Sequence, residues 1–141
     1  MILAHATCVD LDGGAVLLRG ASGSGKSDLA LRLIDAGAVL VADDQVRLEC
    51  RDGRLFASPP AALAGLLEVR GLGIVRLPHR ADAWVRLVVD LVAPGDVERL
   101  PEDEEVEIAG VALPRVALAP FEASAMAKLR LAAAEATKRT R

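Results

Sequence analysis

Residues 20–27 read Gly20-Ala21-Ser22-Gly23-Ser24-Gly25-Lys26-Ser27, a full match to the phosphate-loop pattern G-x-x-x-x-G-K-[ST]. Few folds can hold such a stretch, because it must leave a buried strand, turn sharply and open a helix. Its glycines allow positive φ and close backbone approach, so that consecutive N–H groups and the positive end of the helix converge on an anion. In that arrangement Lys26 reaches the β and γ phosphates of a nucleotide. The Ser27 hydroxyl is then the usual first ligand of the bridging Mg²⁺.

The flanking residues agree. Ala15-Val16-Leu17-Leu18-Arg19 is a short apolar run that reads as a buried strand leading into the loop. Beyond it, residues 28–36 carry Leu29, Ala30, Leu33 and Ile34 at helical spacing, and Gly37 stands where a helix would stop. The chain has 141 residues, enough for one domain with a real core. A hydrophobic content of 52% with only 2% aromatic predicts a core of Ala, Val, Leu and Ile, as in a parallel or mixed sheet covered by helices. A net charge of −3 argues against a nucleic-acid partner. No apolar run approaches a membrane span, and the start has no signal-peptide pattern, so the expected location is cytoplasmic. Cys8 and Cys50 lack metal spacing and read as buried small hydrophobes.

In chain order, residues 1–12 suggest an extended segment turned by Gly13-Gly14. A histidine in such a segment, His5, is commonly a surface residue, although it is also the side chain best suited to proton work near neutral pH. Residues 38–44 form an apolar strand ending in Asp43-Asp44. That pair reads either as carboxylates brought beside the phosphate loop at the sheet's carboxyl edge or as a turn. If strand geometry persists, the two side chains point opposite ways. Val46, Leu48 and Cys50 alternate with charged residues, and Asp52-Gly53 predicts a hairpin turn. Residues 61–67 suggest a short helix after Pro59-Pro60. Glu68-Val69-Arg70-Gly71-Leu72-Gly73-Ile74 suits a loop near a ligand, with Glu68 and Arg70 on one side if extended; a solvated strand face fits the same residues. Residues 84–92 are a strong strand, 94–107 an acidic loop, and 106–119 short strands around Gly110 and Pro114. Residues 121–140 read as a closing helix, with Met126, Leu129 and Ala133 on one face and Lys138, Arg139 and Arg141 near its negative end. His79 reads as a loop residue without a role.

Taken together, four motifs carry a resemblance: His5 with Asp10 five residues on, the loop Gly20 to Ser27, the pair Asp43-Asp44, and the stretch Glu68 to Ile74. The chain resembles the catalytic domain of the HPr kinase/phosphorylase family over roughly residues 5–92. The resemblance implies an α/β fold, a phosphate-loop mixed sheet with flanking helices related to phosphoenolpyruvate carboxykinase, filling residues 1–141 as a single domain. It implies ATP and Mg²⁺ as cofactors, an HPr-like phosphocarrier as protein substrate, and a homo-oligomer. By the same resemblance Asp43 is the general base toward the substrate serine, with His5 placed to hold it. Asp44 braces from behind, Ser27 and Glu68 surround the metal, and Arg70 supports the phosphate site. Asp28 stands where the family more usually has glutamate.

Beyond Pro114 the family carries a loop rich in Pro, Gly and Arg that serves the protein substrate and dephosphorylation. Here that stretch reads Pro120-Phe121-Glu122-Ala123-Ser124, without the arginine. The residues therefore leave two readings open, a protein serine kinase and a nucleotide-binding regulatory module. The reverse, phosphorylase reaction stays open under the first.

Overall fold

The computed structural model describes residues 1–139. Alternation and short apolar runs become strands in chain order: β1 (Ile2–Ala4), β2 (Thr7–Asp10) and β3 (Ala15–Arg19). The phosphate loop then opens α1 (Lys26–Asp35), which is followed by β4 (Val39–Ala42), β5 (Val46–Arg51) and β6 (Arg54–Ser58). A small hairpin, β7 (Leu66–Val69) and β8 (Gly73–Arg76), precedes the long β9 (Ala83–Leu91). The chain closes with β10 (Glu104–Ile108), β11 (Val111–Leu118) and α2 (Ala125–Arg139).

Nine strands form one sheet, ordered β1-β5-β6-β9-β3-β2-β4, with β11 on β9 and β10 on β11. β9 is long enough for one edge to serve two partners, β6 along Ala83–Val85 and β11 along Val88–Leu91, while its other edge pairs with β3. The β9/β11 pairing starts at Arg115, one residue past Pro114, which has no N–H to offer a ladder. β3, β9 and β11 run parallel, and β4 joins that direction through the antiparallel β2 inserted between it and β3.

The two faces of the sheet are covered differently. Leu29, Ala30 and Leu33 of α1 and Leu129 and Ala136 of α2 pack on Val9, Val16, Leu18, Leu87 and Val89. The other face buries Cys8, Leu17, Val41, Val85 and Val88 against Leu48, Leu55, Ile108 and Leu113, so the sheet curls over itself there. Composition suggested helical cover; residues of β5, β6, β10 and β11 fill the second face instead. The mixed α/β class stands.

The Asp52-Gly53 hairpin forms as expected, with φ of 51° and 77° matching the turn that suits twisted strands. Other expectations are corrected. Of residues 61–67 only Ala61–Leu63 make a single 3-10 turn, because Gly65, at φ 77°, breaks the chain into β7. Residues 68–74 are a hairpin, not a loop. The acidic stretch turns at Pro94–Asp96 and becomes strand from Glu104, where Val106 and Ile108 alternate against β11. The closing helix starts at Ala125, since residues 121–124 are spent on a turn. Arg141 and Thr140 lie outside the described residues. Cys8 is buried, which pushes its thiol well above the ordinary range and makes it inert, but Cys50 is exposed on β5.

Candidate functional site

Parallel strands end on the same side, so β4, β3, β9 and β11 deliver their carboxyl ends to one edge of the sheet. The antiparallel β2 brings its amino end there too, carrying His5 and Thr7. Sheet edges of this kind are where α/β folds bind ligands.

The phosphate loop spans β3 and α1. Gly23 and Gly25 sit at φ 81° and 101°, a region that side chains resist. Gly25 is the N-cap of α1 and makes no side-chain cap, which leaves the first N–H groups of the helix for an anion. Lys26, only 7% exposed, donates from Nζ to the carbonyls of Gly20 at 2.6 Å and Ala21 at 3.1 Å. Two of its three donors thus tie down the loop and the third is left for a phosphate. Ser24 Oγ is the buried side-chain polar atom without a partner among the described residues. An orphan hydroxyl inside a glycine-rich loop fits a segment shaped to close on a phosphate chain.

The strand-end acids part company. Asp43 is buried and accepts from Ser27 Oγ at 2.7 Å and Thr7 Oγ1 at 3.0 Å on Oδ1, and from the Glu68 backbone N–H at 3.2 Å on Oδ2. Asp44 turns outward. Its φ is 68°, and the Gln45 N–H bonds the Asp43 carbonyl across it at 2.8 Å, the pattern of a γ-turn. Such backbone costs on the order of 1 kcal/mol and persists where neighbours fix it. Here Ala6 N–H bonds the Asp44 carbonyl at 3.2 Å, and His5 Nε2 lies 2.7 Å from Asp44 Oδ1. The His5 and Asp44 side chains are 52% and 64% exposed, so their pairing adds little to stability. His5 therefore holds Asp44, not Asp43, which corrects the expected partnership.

A cleft of about 400 Å³ runs over this edge. It is lined by Ser22, Gly23, Gly25, Lys26, Ser27 and Asp28 on the loop side, and by His5, Asp44, Glu68 and Arg70 opposite. Glu68 reaches it because the β7/β8 hairpin buries Leu67 and Val69 against Leu40 and turns the intervening residue outward. Arg70, at the hairpin turn, follows on the same side. Of the candidate catalytic, nucleotide-binding and metal-binding residues, all but Asp43, Gly20, Ala21 and Ser24 line the cleft; Asp43 is bonded to Ser27, which does, and the other three belong to the loop. Asp10 is elsewhere, bonded by Arg80 Nε at 3.2 Å. No cluster of three His, Cys, Asp or Glu side chains forms a metal cage among the described residues. Ser27 suits a hard cation even so: its proton goes to Asp43, which leaves its oxygen as an acceptor, and it lines the same cleft as Glu68.

Sequence reasoning missed three participants. Thr7, buried in the structure, braces Asp43, and a hydroxyl residue two positions after His5 was its only signal in the sequence. Arg32 bridges Asp28 at 3.0 Å and the Pro120 carbonyl at 2.5 Å, tying α1 to the 119–124 turn. Asp90 clamps Arg19, the residue just before the loop, at 2.8 and 3.0 Å, and Arg115 at 2.8 Å. Burial alone would raise the Asp90 pKa, but the hydrogen bonds and charges of the two arginines outweigh it and hold the carboxyl below its usual range. The same contact raises Arg115.

Known proteins share the family and the fold. Residues 1–141 match the family described as the HPr serine kinase C-terminal domain. The HPr kinase/phosphorylase of Streptococcus thermophilus is 39% identical over 79% of this chain and 40% of its own length. That of Clostridium tetani is 49% identical over 52% of this chain and 24% of its own. The chain thus spans two fifths or less of these curated relatives. The structure of the Hpr(Ser) kinase/phosphatase from Coxiella burnetii superposes with a TM-score of 0.82 at 26% identity, covering 99% of this chain and 97% of that one. On a family match spanning every residue, the chain belongs to the HPr serine kinase C-terminal domain family.

Proposed function

We propose that this chain is the catalytic domain of an ATP-dependent protein serine kinase acting on an HPr-like phosphocarrier, which would place the reaction in the cytoplasm. The observation that carries the reading is the exposed Asp44, paired with His5 and facing the phosphate loop across the cleft. A module that only binds nucleotide has no need of a proton acceptor there.

In this reading the loop N–H groups and Lys26 hold the ATP phosphates, Asp28 rests beside them, and Arg70 clamps phosphate oxygens. Mg²⁺ would be held by Ser27 and Glu68 with phosphate oxygens and water, and when bound it neutralises charge on the phosphates. The substrate serine oxygen bonds to the γ phosphorus as that phosphorus parts from the β–γ bridging oxygen, and ADP leaves with the electron pair. The serine proton goes to a carboxylate. The sequence resemblance gave that role to Asp43; burial and three hydrogen bonds better suit Asp43 to orienting Ser27, and we assign the base to Asp44 with His5 fixing its rotamer.

The test is direct. The chain is incubated with γ-labelled ATP, Mg²⁺ and an HPr-like carrier, and the label is located by mass spectrometry. Phosphoserine on the carrier is expected; binding of ATP without transfer to any carrier would overturn the kinase reading in favour of a regulatory module.

A further inference from the structure

We infer that the nucleoside of the bound nucleotide lies in a second cleft, on the far side of the phosphate loop from the carboxylates, with the Phe121 ring as its stacking platform. This rests on the reading of the loop as a nucleotide site. The second cleft, of about 340 Å³, is within the range of small-molecule sites. Its walls are mainly apolar, with Leu91, Val92, Pro94, Ala119 and Pro120, and Ser24 and Glu122 are the polar residues among them. Gly23 and Phe121 line both clefts, so the two are continuous around the loop.

Topology fixes the direction. In the order β4-β2-β3-β9-β11, the acids stand at the end of β4, and the second cleft opens at the ends of β9 and β11, with the loop strand β3 between. A nucleotide whose terminal phosphate faces Asp44 must extend the other way along that edge, toward β9 and β11.

Phe121 is suited to receive a base. Trp84 is capped by the guanidinium groups of Arg54 and Arg86, at 4.2 and 3.8 Å, and Phe56 by that of Arg51 at 3.9 Å. Phe121 has no such cap among the described residues and is 70% exposed. Its position is nevertheless set. Arg32 holds the neighbouring Pro120 carbonyl, and the ring lies so close on the loop that a Cβ at Gly25 would come within 2.9 Å of its Cζ. A flat apolar face held at the loop and left uncovered suits a nucleobase, which stacks through its π face.

Calorimetry on the whole chain tests this with two probes, Mg-ATP and Mg-tripolyphosphate, which differ by the nucleoside. The parent is expected to bind ATP more tightly than tripolyphosphate. Phe121→Ala should lose about tenfold in ATP affinity with tripolyphosphate binding unchanged, and Phe121→Trp should retain ATP affinity. An unchanged ATP affinity in Phe121→Ala, or an equal loss for both probes, overturns the inference. A parent that binds both probes equally overturns it while the phosphate-loop reading stands. A parent that binds neither overturns both.

Discussion

Ser27 Oγ donates to Asp43 Oδ1 at 2.7 Å, joining the last residue of the phosphate loop to the end of β4. The carboxylate is buried and holds two further donors, Thr7 Oγ1 and the Glu68 N–H. One side chain therefore couples loop, strand and hairpin.

Asp43→Asn should act on this junction. The amide keeps the shape but loses the charge that all three donors address, which should lower stability by about 1–3 kcal/mol. Mg²⁺ dependence of ATP binding should weaken as well, because the hydrogen bond that orients the Ser27 hydroxyl is weakened. Urea midpoints and a Mg²⁺ titration check both; unchanged values in both would remove Asp43 from the metal side of the site.

Lys26→Ala should cost about 10²- to 10³-fold in turnover, the usual loss for one preorganised donor at a transferring group. It also frees the Gly20 and Ala21 carbonyls that Nζ now ties down, so loop order should suffer. Lys26→Arg should not rescue, because a planar fork cannot replace a compact ammonium inside this loop. ATP affinity by calorimetry and phosphotransfer rate together test the point.

The local signals in the sequence were strong where chemistry is local. The phosphate loop, its strand and helix, and the Asp52-Gly53 hairpin follow from residue types that allow few alternatives. The Asp43-Asp44 pair was legible as two acids with opposite faces, but not which one met the cleft. That choice depends on the γ-turn at Asp44, fixed by Ala6 and His5 in the connection between β1 and β2, the histidine being 39 positions away. The curl of the sheet was hidden for a similar reason. Short strands over 106–119 were legible, but the acidic residues hid that the first begins at Glu104, and nothing local showed that β11 would carry it onto the sheet. Phe121 was read as helix because its turn is stabilised from Arg32, far away in sequence.

The Asp90 cluster predicts a pH dependence. Its folded-state pKa lies below the usual value, so its contribution to stability is full above the ordinary aspartate range and is lost as pH falls through the folded value. Asp90→Asn should cost about 2–4 kcal/mol at neutral pH, since it leaves Arg19 and Arg115 side by side without their shared carboxylate. The gap between parent and variant should narrow below about pH 4. Thermal melts from pH 7 to pH 3 measure it; a gap that stays constant would mean the pairing does not depend on ionisation.

The decisive comparison concerns Asp44 and His5. A serine hydroxyl is a poor nucleophile at neutral pH, and a positioned base is typically worth about 10²- to 10⁴-fold. Asp44 is exposed, so Asp44→Asn should fold normally, bind Mg-ATP about as well as the parent, and lose kcat by that factor. Its effect should exceed that of Asp43→Asn on chemistry and fall below it on stability. His5→Ala should reduce kcat less, by about tenfold, with an altered pH profile and little change in KM, because it removes only the group that holds the Asp44 rotamer. His5→Gln, which can still donate a hydrogen bond, should recover part of the loss. If Asp44→Asn transfers phosphate at the parent rate while Asp43→Asn binds ATP normally but transfers none, the base is Asp43 and the outward turn at Asp44 serves another purpose.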